Sequence, residues 1–427
     1  MNLSTIRKNL ILKKWLLYMD FTASWLAYKP IEKKIQKILL TYANTHSEVW
    51  YNAELTTKYY KNAREKLYHL LEVNKEDFCI IPTGTWATWA IKRFQEIIWI
   101  YIPPSTRKRY NINPSNVPLV VIGPFEHHSN ELSFREWLCE VIRCPLNEEW
   151  FIDLKELENI LEKNKKREII WSFSAASNVT WIKNPIEKIY KIIKKYNGIM
   201  CVDAAACSPY MNINCKYYDA MFLSPHKLIW GPWSCWLLVI KRSLCQKINK
   251  PTFAWWWTVK YVSRISHIYS DSIEERETAW TPWILQLIRA SLAYELRNKI
   301  WLDFIAKREE MLKNYFVKLV KNIPNIKFYC NLTDNKIPIY SFNIIWVSPY
   351  LVAKILSDKY GIQTRAWCSC AWPYWHDLLW LKDNIDYDPN IKKNFWWVRI
   401  SLHYTHTKKD IKFFVNALKE IVQKLTK

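Results

Sequence analysis

Glycine is nearly absent from this sequence, with 5 in 427 residues, whereas it averages about 7% of residues in proteins. Tryptophan occurs 26 times, and this excess is close to the number of glycines that are missing. An aromatic-rich core is the simplest explanation for many tryptophans. It does not explain why many of them lie in stretches that read as turns, a point that depends on the motifs below.

Long apolar runs are also missing. A run such as 97–102 (IIWIYI) is well short of the roughly 20 residues that a membrane-spanning helix needs. The first twenty residues mix Lys and Arg with short apolar pieces and show no signal-peptide core. The sequence therefore predicts a cytoplasmic protein without a membrane segment.

The eleven cysteines lack the regular spacing of a disulfide framework. Several lie inside apparent core strands, which is typical of reduced thiols in a reducing compartment. Cys368 and Cys370 form the only close pair, and no second pair stands at zinc-ligand spacing. We therefore expect no metal site.

The formal charge is +23, but no cluster of Lys and Arg with interleaved aromatics stands out. The lysines are spread along the helices, as in 183–195, where solvated faces explain them. A nucleic-acid-binding scaffold stays open as an alternative function that net charge alone supports.

Between about residue 77 and residue 240, short β-rich runs alternate with helical ones. The predicted strands are 77–82, 118–122, 140–144, 168–173, 199–203, 219–223 and 236–240. Amphipathic helices are expected at 153–162 and 185–196. This alternation predicts an α/β domain with a mostly parallel seven-stranded sheet and helices on both faces.

After residue 283 the pattern changes to a long helical stretch, 283–320. A smaller α+β region follows, with strands near 340–345 and 397–401 and a closing helix at 408–424. We expect a large domain over 20–290, and a small domain formed by 1–19 and 291–427.

Two ionisable residues follow predicted strands of the large domain. Lys227 lies in a turn after 219–223, where partial desolvation would make its amine nucleophilic toward carbonyls. Asp203 closes the apolar strand 199–203, which is costly unless the carboxylate meets a cation such as a protonated pyridine nitrogen. Since ligands of open α/β sheets bind at the carboxyl ends of strands, both residues can reach one cofactor.

Three further polar clusters follow strands. The Thr-rich turn 82–91 leads into a helix, whose N-terminus suits a phosphate. The segment 125–131 (FEHHSNE) offers a histidine that could lie on an aromatic ring, and Asn178 follows another strand. Five polar clusters after five strands indicate one site.

Together these motifs resemble the cysteine desulfurase branch of the class V aminotransferases, which are fold type I pyridoxal phosphate enzymes. The resemblance runs from DFTAS (20–24) to VRISLHYTHT (398–407). It implies pyridoxal 5'-phosphate as the cofactor and the fold type I architecture. It also implies a homodimer, since ERETAWTP (275–282) resembles the segment that reaches the second subunit's site.

The resemblance assigns a role to each matching residue. Lys227 is the Schiff-base lysine, Asp203 the partner of the pyridinium nitrogen, His127 the ring-stacking catalytic histidine and Asn178 the residue near the phenolic oxygen. The phosphate-binding positions are Ala87, Thr88, Ser224, His226 and, for the partner's phosphate, Thr281. Arg365 and Arg399 match substrate-binding arginines, and Cys370 matches the nucleophilic cysteine.

The chain departs from the family pattern at two kinds of position. Ala206 replaces a glutamine that hydrogen-bonds the cofactor in many desulfurases, and Cys368 is a second candidate thiol. Glycines of the family fall on tryptophans, at positions 86, 89, 181, 230, 233, 236, 255–257, 280, 367 and 372. Because glycine serves where φ is positive or backbone lies close to a ligand, the natural gene is expected to read UGA as glycine at such positions.

The sequence thus favours a desulfurase that takes sulfur from L-cysteine or a close analogue, giving alanine and a persulfide on Cys370, for transfer to a sulfur-acceptor protein. An aminotransferase or α,β-lyase of the same family is the alternative that keeps the cofactor. The need for Cys370 distinguishes the two.

Overall fold

The computed structural model describes residues 2–45, 49–84, 87–112, 116–228, 231–246, 250–255, 258–278, 281–329, 332, 338–367, 369–380 and 396–426. The strands are β1 Leu17–Tyr18, β2 Phe78–Thr83, β3 Leu119–Ile122, β4 Glu140–Arg143, β5 Ile169–Ser174, β6 Ile199–Asp203, β7 Ala220–Leu223, β8 Trp236–Lys241, β9 Val259–Val262, β10 His267–Tyr269, β11 Ile326–Phe328, β12 Ile339–Ile344, β13 Ile362–Gln363, β14 Arg365–Trp367 and β15 Trp397–Ser401.

The α-helices are α1 Leu3–Asn9, α2 Lys29–Leu39, α3 Tyr51–Leu70, α4 Ala87–Ile97, α5 Pro104–Arg109, α6 Leu132–Glu136, α7 Leu154–Lys163, α8 Ile186–Lys195, α9 Arg242–Cys245, α10 Ile273–Arg276, α11 Ile284–Ile300, α12 Leu302–Val320, α13 Pro349–Tyr360, α14 Trp372–Leu379 and α15 Lys408–Leu425. Within the described part of the chain, no helix is long and apolar enough to cross a membrane.

Two units make up the chain. The larger unit comprises residues 30–175 and 184–298, and the smaller unit comprises 1–29, 176–183 and 299–427.

The larger unit is built on a seven-stranded sheet in the order β2-β8-β7-β6-β5-β3-β4. Strands β4, β3, β5, β6 and β7 pair in parallel, whereas β8 is antiparallel to both of its neighbours. Every residue of β2, β3, β5, β6 and β7 is buried, as expected for strands covered on both faces. The predicted α/β fold with a mostly parallel seven-stranded sheet is confirmed.

Helices position the core of the larger unit through their apolar faces. In α4, Ala90, Ile91 and Phe94 are fully buried and pack with β3, β7 and β8 in one cluster. In α8, Ile189 and Ile193 are buried one turn apart, while Lys188, Lys191 and Lys195 are exposed. The sheet edge formed by the ends of β5, β6 and β7 is therefore held on a rigid scaffold.

The smaller unit contains a four-stranded antiparallel sheet in the order β11-β12-β15-β14. Its core joins residues of that sheet to α12, α13 and α15, including Phe316, Phe342, Leu356 and Leu418. Helix α15 begins with a capping box in which Thr407 and Asp410 exchange side-chain and backbone hydrogen bonds.

Two segments expected in the large domain belong instead to the smaller unit. Residues 20–29 join it because Thr22 and Ser401 place their hydroxyl oxygens 2.6 Å apart. Residues 176–183 join it because Ser341 Oγ donates to the carbonyl of Val179 at 3.1 Å. Contacts so distant in the sequence leave no local pattern that could reveal the boundary.

The long helix expected at 283–320 is two helices. It is broken at Trp301, whose φ of 79° and ψ of 120° lie outside the helical region.

Candidate active site

Lys227 lies in a single 3-10 turn directly after β7. Strand β7 ends at Leu223, and the carbonyl of Ser224 accepts the Lys227 N–H at 2.9 Å. The carbonyl of Pro225 then accepts the Leu228 N–H at 2.9 Å. Since both ends of the turn are hydrogen-bonded, the half-buried Lys227 side chain starts from a fixed point at the edge of the sheet.

The backbone after Lys227 folds back onto this turn at Gly231. A Cβ atom at position 231 would lie 1.6 Å from the Pro225 carbonyl oxygen and 2.7 Å from the Cα of His226. Only glycine permits this approach. The backbone at Gly231 therefore packs directly against the turn that contains Lys227.

Asp203 is the last residue of β6, the strand beside β7, and its side chain is buried. Burial raises the pKa of its carboxyl, while the Ala205 N–H, 2.9 Å from Oδ1, and the charge of Lys227 lower it. The pKa remains raised overall because desolvation dominates. A buried carboxylate in this state favours a positively charged ligand group.

Groups suited to an anion lie in the same unit. Ser224 is fully buried, and its hydroxyl has no hydrogen-bond partner among the described residues. Helix α4 begins at Ala87, whose side chain lies outside the described part, and Thr88 follows in its exposed first turn. Burial, with the charge of Lys227, lowers the pKa of His226 to about 3, so this imidazole is neutral near pH 7.

His127 lies in the loop after β3 and caps a short 3-10 turn. Its Nδ1 accepts the Ser129 N–H at 3.2 Å. The Ser129 hydroxyl is in turn 3.0 Å from that of Thr88. One network thus joins the predicted ring-stacking histidine to the first turn of α4.

Glu126, directly before His127, anchors this loop to β5. The Glu126 carboxyl accepts the Ser174 N–H and the Ser174 hydroxyl, each at 2.8 Å, and the Asn130 side-chain amide at 2.7 Å. Burial raises the pKa of Glu126 to about 8, against the effect of these hydrogen bonds. Glu126 is therefore mostly protonated at neutral pH.

In the smaller unit, two arginines share one carboxylate. Arg365 and Arg399 are direct partners in the β14–β15 pairing. Arg365 Nε donates to Asp20 Oδ2 at 2.9 Å, and Arg399 Nη2 donates to Asp20 Oδ1 at 3.1 Å. Two positive charges against one negative charge leave a net positive charge there, which favours an anionic ligand.

Arg399 is the more buried of the two. Burial lowers the pKa of its guanidinium. The charge of Asp20 raises this pKa, and the charge of Arg365 lowers it further. Nη1 donates to the carbonyl of Asn178 at 3.1 Å, whereas Nε has no acceptor among the described residues. A buried donor in this state suits a carboxylate, which accepts guanidinium hydrogen bonds in pairs.

Asn178 also belongs to the smaller unit. Its Nδ2 donates to the carbonyl of Ser369 at 2.6 Å, so it fixes the residue before Cys370. Its Oδ1 is buried and accepts no hydrogen bond from the described residues.

Cys370 follows β14 in a strained segment. Ser369 and Cys370 have φ values of 58° and 55°, in the left-handed region that non-glycine residues rarely adopt. The thiol is free and half-buried. The neighbouring Cys368 lies outside the described residues. Strain of this kind is concentrated at functional sites, which marks the segment for function.

Thr281, predicted to serve a second subunit, is exposed in the single chain. Its hydroxyl is 3.4 Å from the side-chain nitrogen of Asn44. Its exposure leaves the hydroxyl available, and its role remains a prediction.

The tryptophan positions have mixed outcomes. Trp181 and Trp233 have the positive φ expected of glycine, 59° and 67°. The prediction of a turn at Trp367 is wrong, because this residue ends strand β14. Positions 86, 230, 256, 257 and 280 lie outside the described residues, and Trp89 lies in α4.

A profile of the family described as aminotransferase class-V matches residues 17–414. The chain belongs to the class-V aminotransferase family. Among curated relatives of this class-V chain, a probable cysteine desulfurase of Borreliella burgdorferi is 26% identical over 317 residues, covering 72% of this chain and 71% of the relative. A probable cysteine desulfurase of Streptomyces coelicolor is 25% identical, covering 84% of each chain.

Solved structures support the fold of this class-V protein. The apo cysteine desulfurase of Thermococcus onnurineus NA1 superposes with a TM-score of 0.81 at 22% identity, covering 99% of this chain and 98% of that one. A cysteine desulfurase of Escherichia coli gives 0.80 at 20% identity, covering 100% and 99%. The predicted family and the fold type I architecture are confirmed.

Two residues in these networks were not singled out by the sequence analysis. Asp20 begins the motif DFTAS, where an acidic residue beside apolar neighbours was a signal that an ion pair exists. Glu126 stands between Phe125 and two histidines, but its carboxyl is satisfied by hydrogen bonds from Ser174 and Asn130 and not by a cation. In neither case does the local sequence identify the residues that bind the carboxyl group.

Proposed function

We propose that this protein is a pyridoxal phosphate-dependent cysteine desulfurase that converts L-cysteine to alanine and leaves the sulfur as a persulfide on Cys370. The observation that carries the proposal is the pair Asp203 and Lys227 at the ends of adjacent strands, with opposite charges that influence each other. This pair belongs to a chain of the class-V family, and curated relatives of the chain are named probable cysteine desulfurases.

The residues of the larger unit fit the cofactor. The buried Ser224 hydroxyl and the first turn of α4 offer donors for a phosphate, and Asp203 offers a buried carboxylate for a protonated ring nitrogen. When bound, pyridoxal phosphate supplies a carbonyl carbon that amines attack and a ring that accepts electrons released at the substrate's α-carbon. Ala87, Thr88, Ser224 and His226 would hold the phosphate, and His127 would cover the ring.

Lys227 and Asp203 have complementary roles in this proposal. Lys227 would hold the cofactor through its amine, and the same amine would take the proton from the substrate's α-carbon. Asp203 would favour a protonated ring nitrogen, because a buried carboxylate is stabilised by a cation. Burial raises the pKa of Asp203 in the protein without cofactor, and the charge of a bound ring cation would lower it.

The substrate carboxylate is assigned to the arginine pair. Arg399 has a buried donor without an acceptor among the described residues, and Arg365 adds a second charge. Asp20 fixes both guanidiniums through separate oxygens. A planar guanidinium binds a carboxylate through two parallel hydrogen bonds, which a lysine does not.

Cys370 accepts the sulfur. Its thiolate attacks the substrate sulfur, so an S–S bond forms as the substrate's C–S bond breaks, and the electron pair of that bond stays with carbon. Protonation of this carbon gives alanine, so cysteine and a thiol become alanine and a persulfide without an outside oxidant. A sulfur-acceptor protein then removes the outer sulfur. The proposed enzyme is a cytoplasmic homodimer in which Thr281 serves the second subunit's site.

The test measures alanine and protein persulfide after incubation with L-cysteine. Variants are made in the sequence that peptide mapping gives for the protein from its natural source. Lys227→Ala is expected to lose both products. Cys370→Ser is expected to lose both while keeping the visible absorbance of bound cofactor.

Cys215→Ser is the matched control, since Cys215 is also a free, half-buried thiol but lies in the larger unit. It is expected to keep full activity. Alanine formation that survives Cys370→Ser but not Cys368→Ser would assign the sulfur to the other thiol. Turnover that needs Lys227 but neither thiol would replace the desulfurase with an aminotransferase or α,β-lyase.

A further inference from the structure

Left-handed backbone in this protein is concentrated on tryptophan. Thirteen described residues other than glycine have positive φ, and seven of them are tryptophan, at positions 99, 150, 181, 233, 301, 346 and 380. Tryptophan is 26 of 427 residues, so an even share of thirteen would be less than one. Asparagine, which tolerates this region, supplies only three.

Two of the seven tryptophans end helices in the way that glycine does. After α4, the Ile100 N–H reaches the Gln95 carbonyl and the Trp99 N–H reaches the Glu96 carbonyl, both at 3.1 Å. This is the Schellman pattern, whose left-handed position is usually glycine. After α14, Trp380 is left-handed in the same way, with φ 57° and ψ 37°.

Gly361 provides an internal comparison. It follows α13 with φ 66° and ψ 20°, which is the position that Trp380 takes after α14. The chain therefore retains glycine at one such helix end and has tryptophan at another.

Three tryptophans occupy turn positions with the same requirement. Trp233 and Trp346 are third in turns closed by hydrogen bonds from Ser234 to Gly231 and from Val347 to Ile344, and each has φ 67°. A turn with positive φ at the third residue calls for glycine. Trp150, with φ 66°, closes a three-residue hairpin loop in which the bulged residue is commonly glycine.

Burial does not offset this strain. The exposed fractions of Trp233, Trp301, Trp346 and Trp380 are 82%, 68%, 100% and 82%. An indole in water gains little from burial, and the φ of 79° and ψ of 120° at Trp301 fall outside even the left-handed well. An aromatic-rich core therefore explains few of the seven.

We infer that the natural protein carries glycine at these seven positions, because its gene writes them with one codon, UGA, that its source reads as glycine. Five of the seven, Trp99, Trp150, Trp301, Trp346 and Trp380, come from backbone geometry alone, since no family motif was matched to them. The inference is independent of the proposed function.

Peptide mass spectrometry of the protein from its natural source tests this directly. Each peptide that spans one of the seven positions should be lighter by the difference between an indole side chain and a hydrogen atom. The gene should show UGA at all seven. A tryptophan-bearing peptide at any of Trp99, Trp233, Trp346 or Trp380 would overturn the inference for that position, and UGG codons there would overturn the genetic-code explanation.

Single substitutions in the protein that carries tryptophan at these positions give a physical test. Trp233→Gly, Trp346→Gly and Trp380→Gly should each raise the thermal midpoint, because glycine removes the strain of a positive φ. Trp50→Gly is the matched control: Trp50 is 74% exposed but has φ −100°. Glycine there only adds freedom to the unfolded chain, so the midpoint should fall. An equal change in all four variants would contradict the backbone argument.

A second observation, the Glu126 network, points to a positioning residue. The geometry assigns Glu126 the role of holding the His127 loop on β5 beside Asp203. Ser174, which donates twice to Glu126, is the direct partner of Asp203 in the β5–β6 pairing. A Cβ at Gly123 would lie 2.2 Å from Glu126 Oε1, so the backbone leaves room for this carboxyl only with glycine there.

This second proposal rests on the proposed function for its effect on the cofactor, so its test has two readouts. Glu126→Ala should speed amide hydrogen exchange in 126–131 and weaken pyridoxal phosphate binding about tenfold, since buried donors lose their acceptor. Glu126→Gln keeps one of the two acceptor oxygens and should restore part of both readouts.

The partly exposed Glu158, which pairs with Lys195 outside the 126–131 segment, provides the control Glu158→Gln, expected to leave both readouts unchanged. If Glu126→Ala fails to fold, Ser174→Ala removes one of the three hydrogen bonds and should give smaller changes of the same sign. Unchanged exchange in Glu126→Ala would overturn the positioning role. A wild-type protein that binds no cofactor would overturn the proposed function instead, while the exchange readout would still decide the role of Glu126.

Discussion

Arg399 and Asp20 form a buried ion pair in the smaller unit, with 3.1 Å between Nη2 and Oδ1, and Arg365 binds the other oxygen of the same carboxylate. The pair joins residues 379 positions apart in the chain. The beginning of the sequence therefore contributes directly to the arginine cluster that we assign to the substrate.

Replacing Asp20 with Asn should destabilise the protein by about 3 kcal/mol, because one buried guanidinium loses its counter-charge. Urea unfolding at pH 7 measures this effect. The exposed pair of Lys354 and Asp358 gives the control: Asp358→Asn should leave the urea midpoint nearly unchanged. Equal effects of the two substitutions would contradict the importance of burial.

Asp203 and Asp219 should respond in opposite ways to the change to Asn. Asp219 is paired with Lys194 and Lys241, so Asp219→Asn should cost about 3 kcal/mol. Burial raises the pKa of Asp203, so a neutral amide should leave the cofactor-free protein equally or more stable at pH 8. Asp203→Asn should nonetheless weaken pyridoxal phosphate binding. Calorimetric unfolding and a cofactor titration measure the two quantities, and a strongly destabilised Asp203→Asn would count against this account.

Glu126 should make stability depend on pH. Its folded pKa, about 8, is above its ordinary value of 4.5, so the folded state holds a proton that the unfolded state releases between these values. The stabilisation that Glu126 contributes is therefore complete below about pH 4.5 and is lost as the pH rises to about 8. Urea midpoints from pH 5 to pH 9 should show this slope, and Glu126→Gln should reduce it. An unchanged slope in Glu126→Gln would show that other groups produce it.

Lys227 should be the lysine that carries the cofactor. Borohydride reduction of the yellow natural protein should fix the cofactor onto the peptide containing Lys227, as peptide mapping would detect. Lys241, paired with Asp219, serves as the internal control and should remain unlabelled. Label on Lys241 or another lysine would remove the assignment.

Thr281 should act across a dimer. Light scattering is expected to give twice the mass of one chain. Thr281→Ala should weaken cofactor binding without dissociating the dimer, whereas Thr278→Ala, three residues earlier and bonded within its own chain to Glu274, should not. A fully active monomer would contradict this arrangement.

The sheet could be predicted from the sequence to within a residue or two, because six of its seven strands are short, largely buried apolar runs between helices of clear amphipathic period. The members of the site that follow strands, such as Asp203 and Lys227, could be found for the same reason. Asp20 could not be connected to its arginines, nor Glu126 to Ser174, since these contacts depend on how distant segments pair. The break at Trp301 was missed because a tryptophan gives no helix-stop signal, whereas a glycine would have given one.

The close approach at Gly231 has a consequence for evolution. A methyl group there would already overlap the Pro225 carbonyl oxygen, so every mutation that changes this codon's meaning is expected to displace the lysine turn. Two residues later the side chain at Trp233 points into water, and the same loop accepts the largest side chain at a cost in strain alone. Among natural variants of this gene, position 231 should therefore be invariant, whereas replacing the glycine inferred at position 233 should cost strain but leave the lysine turn in place.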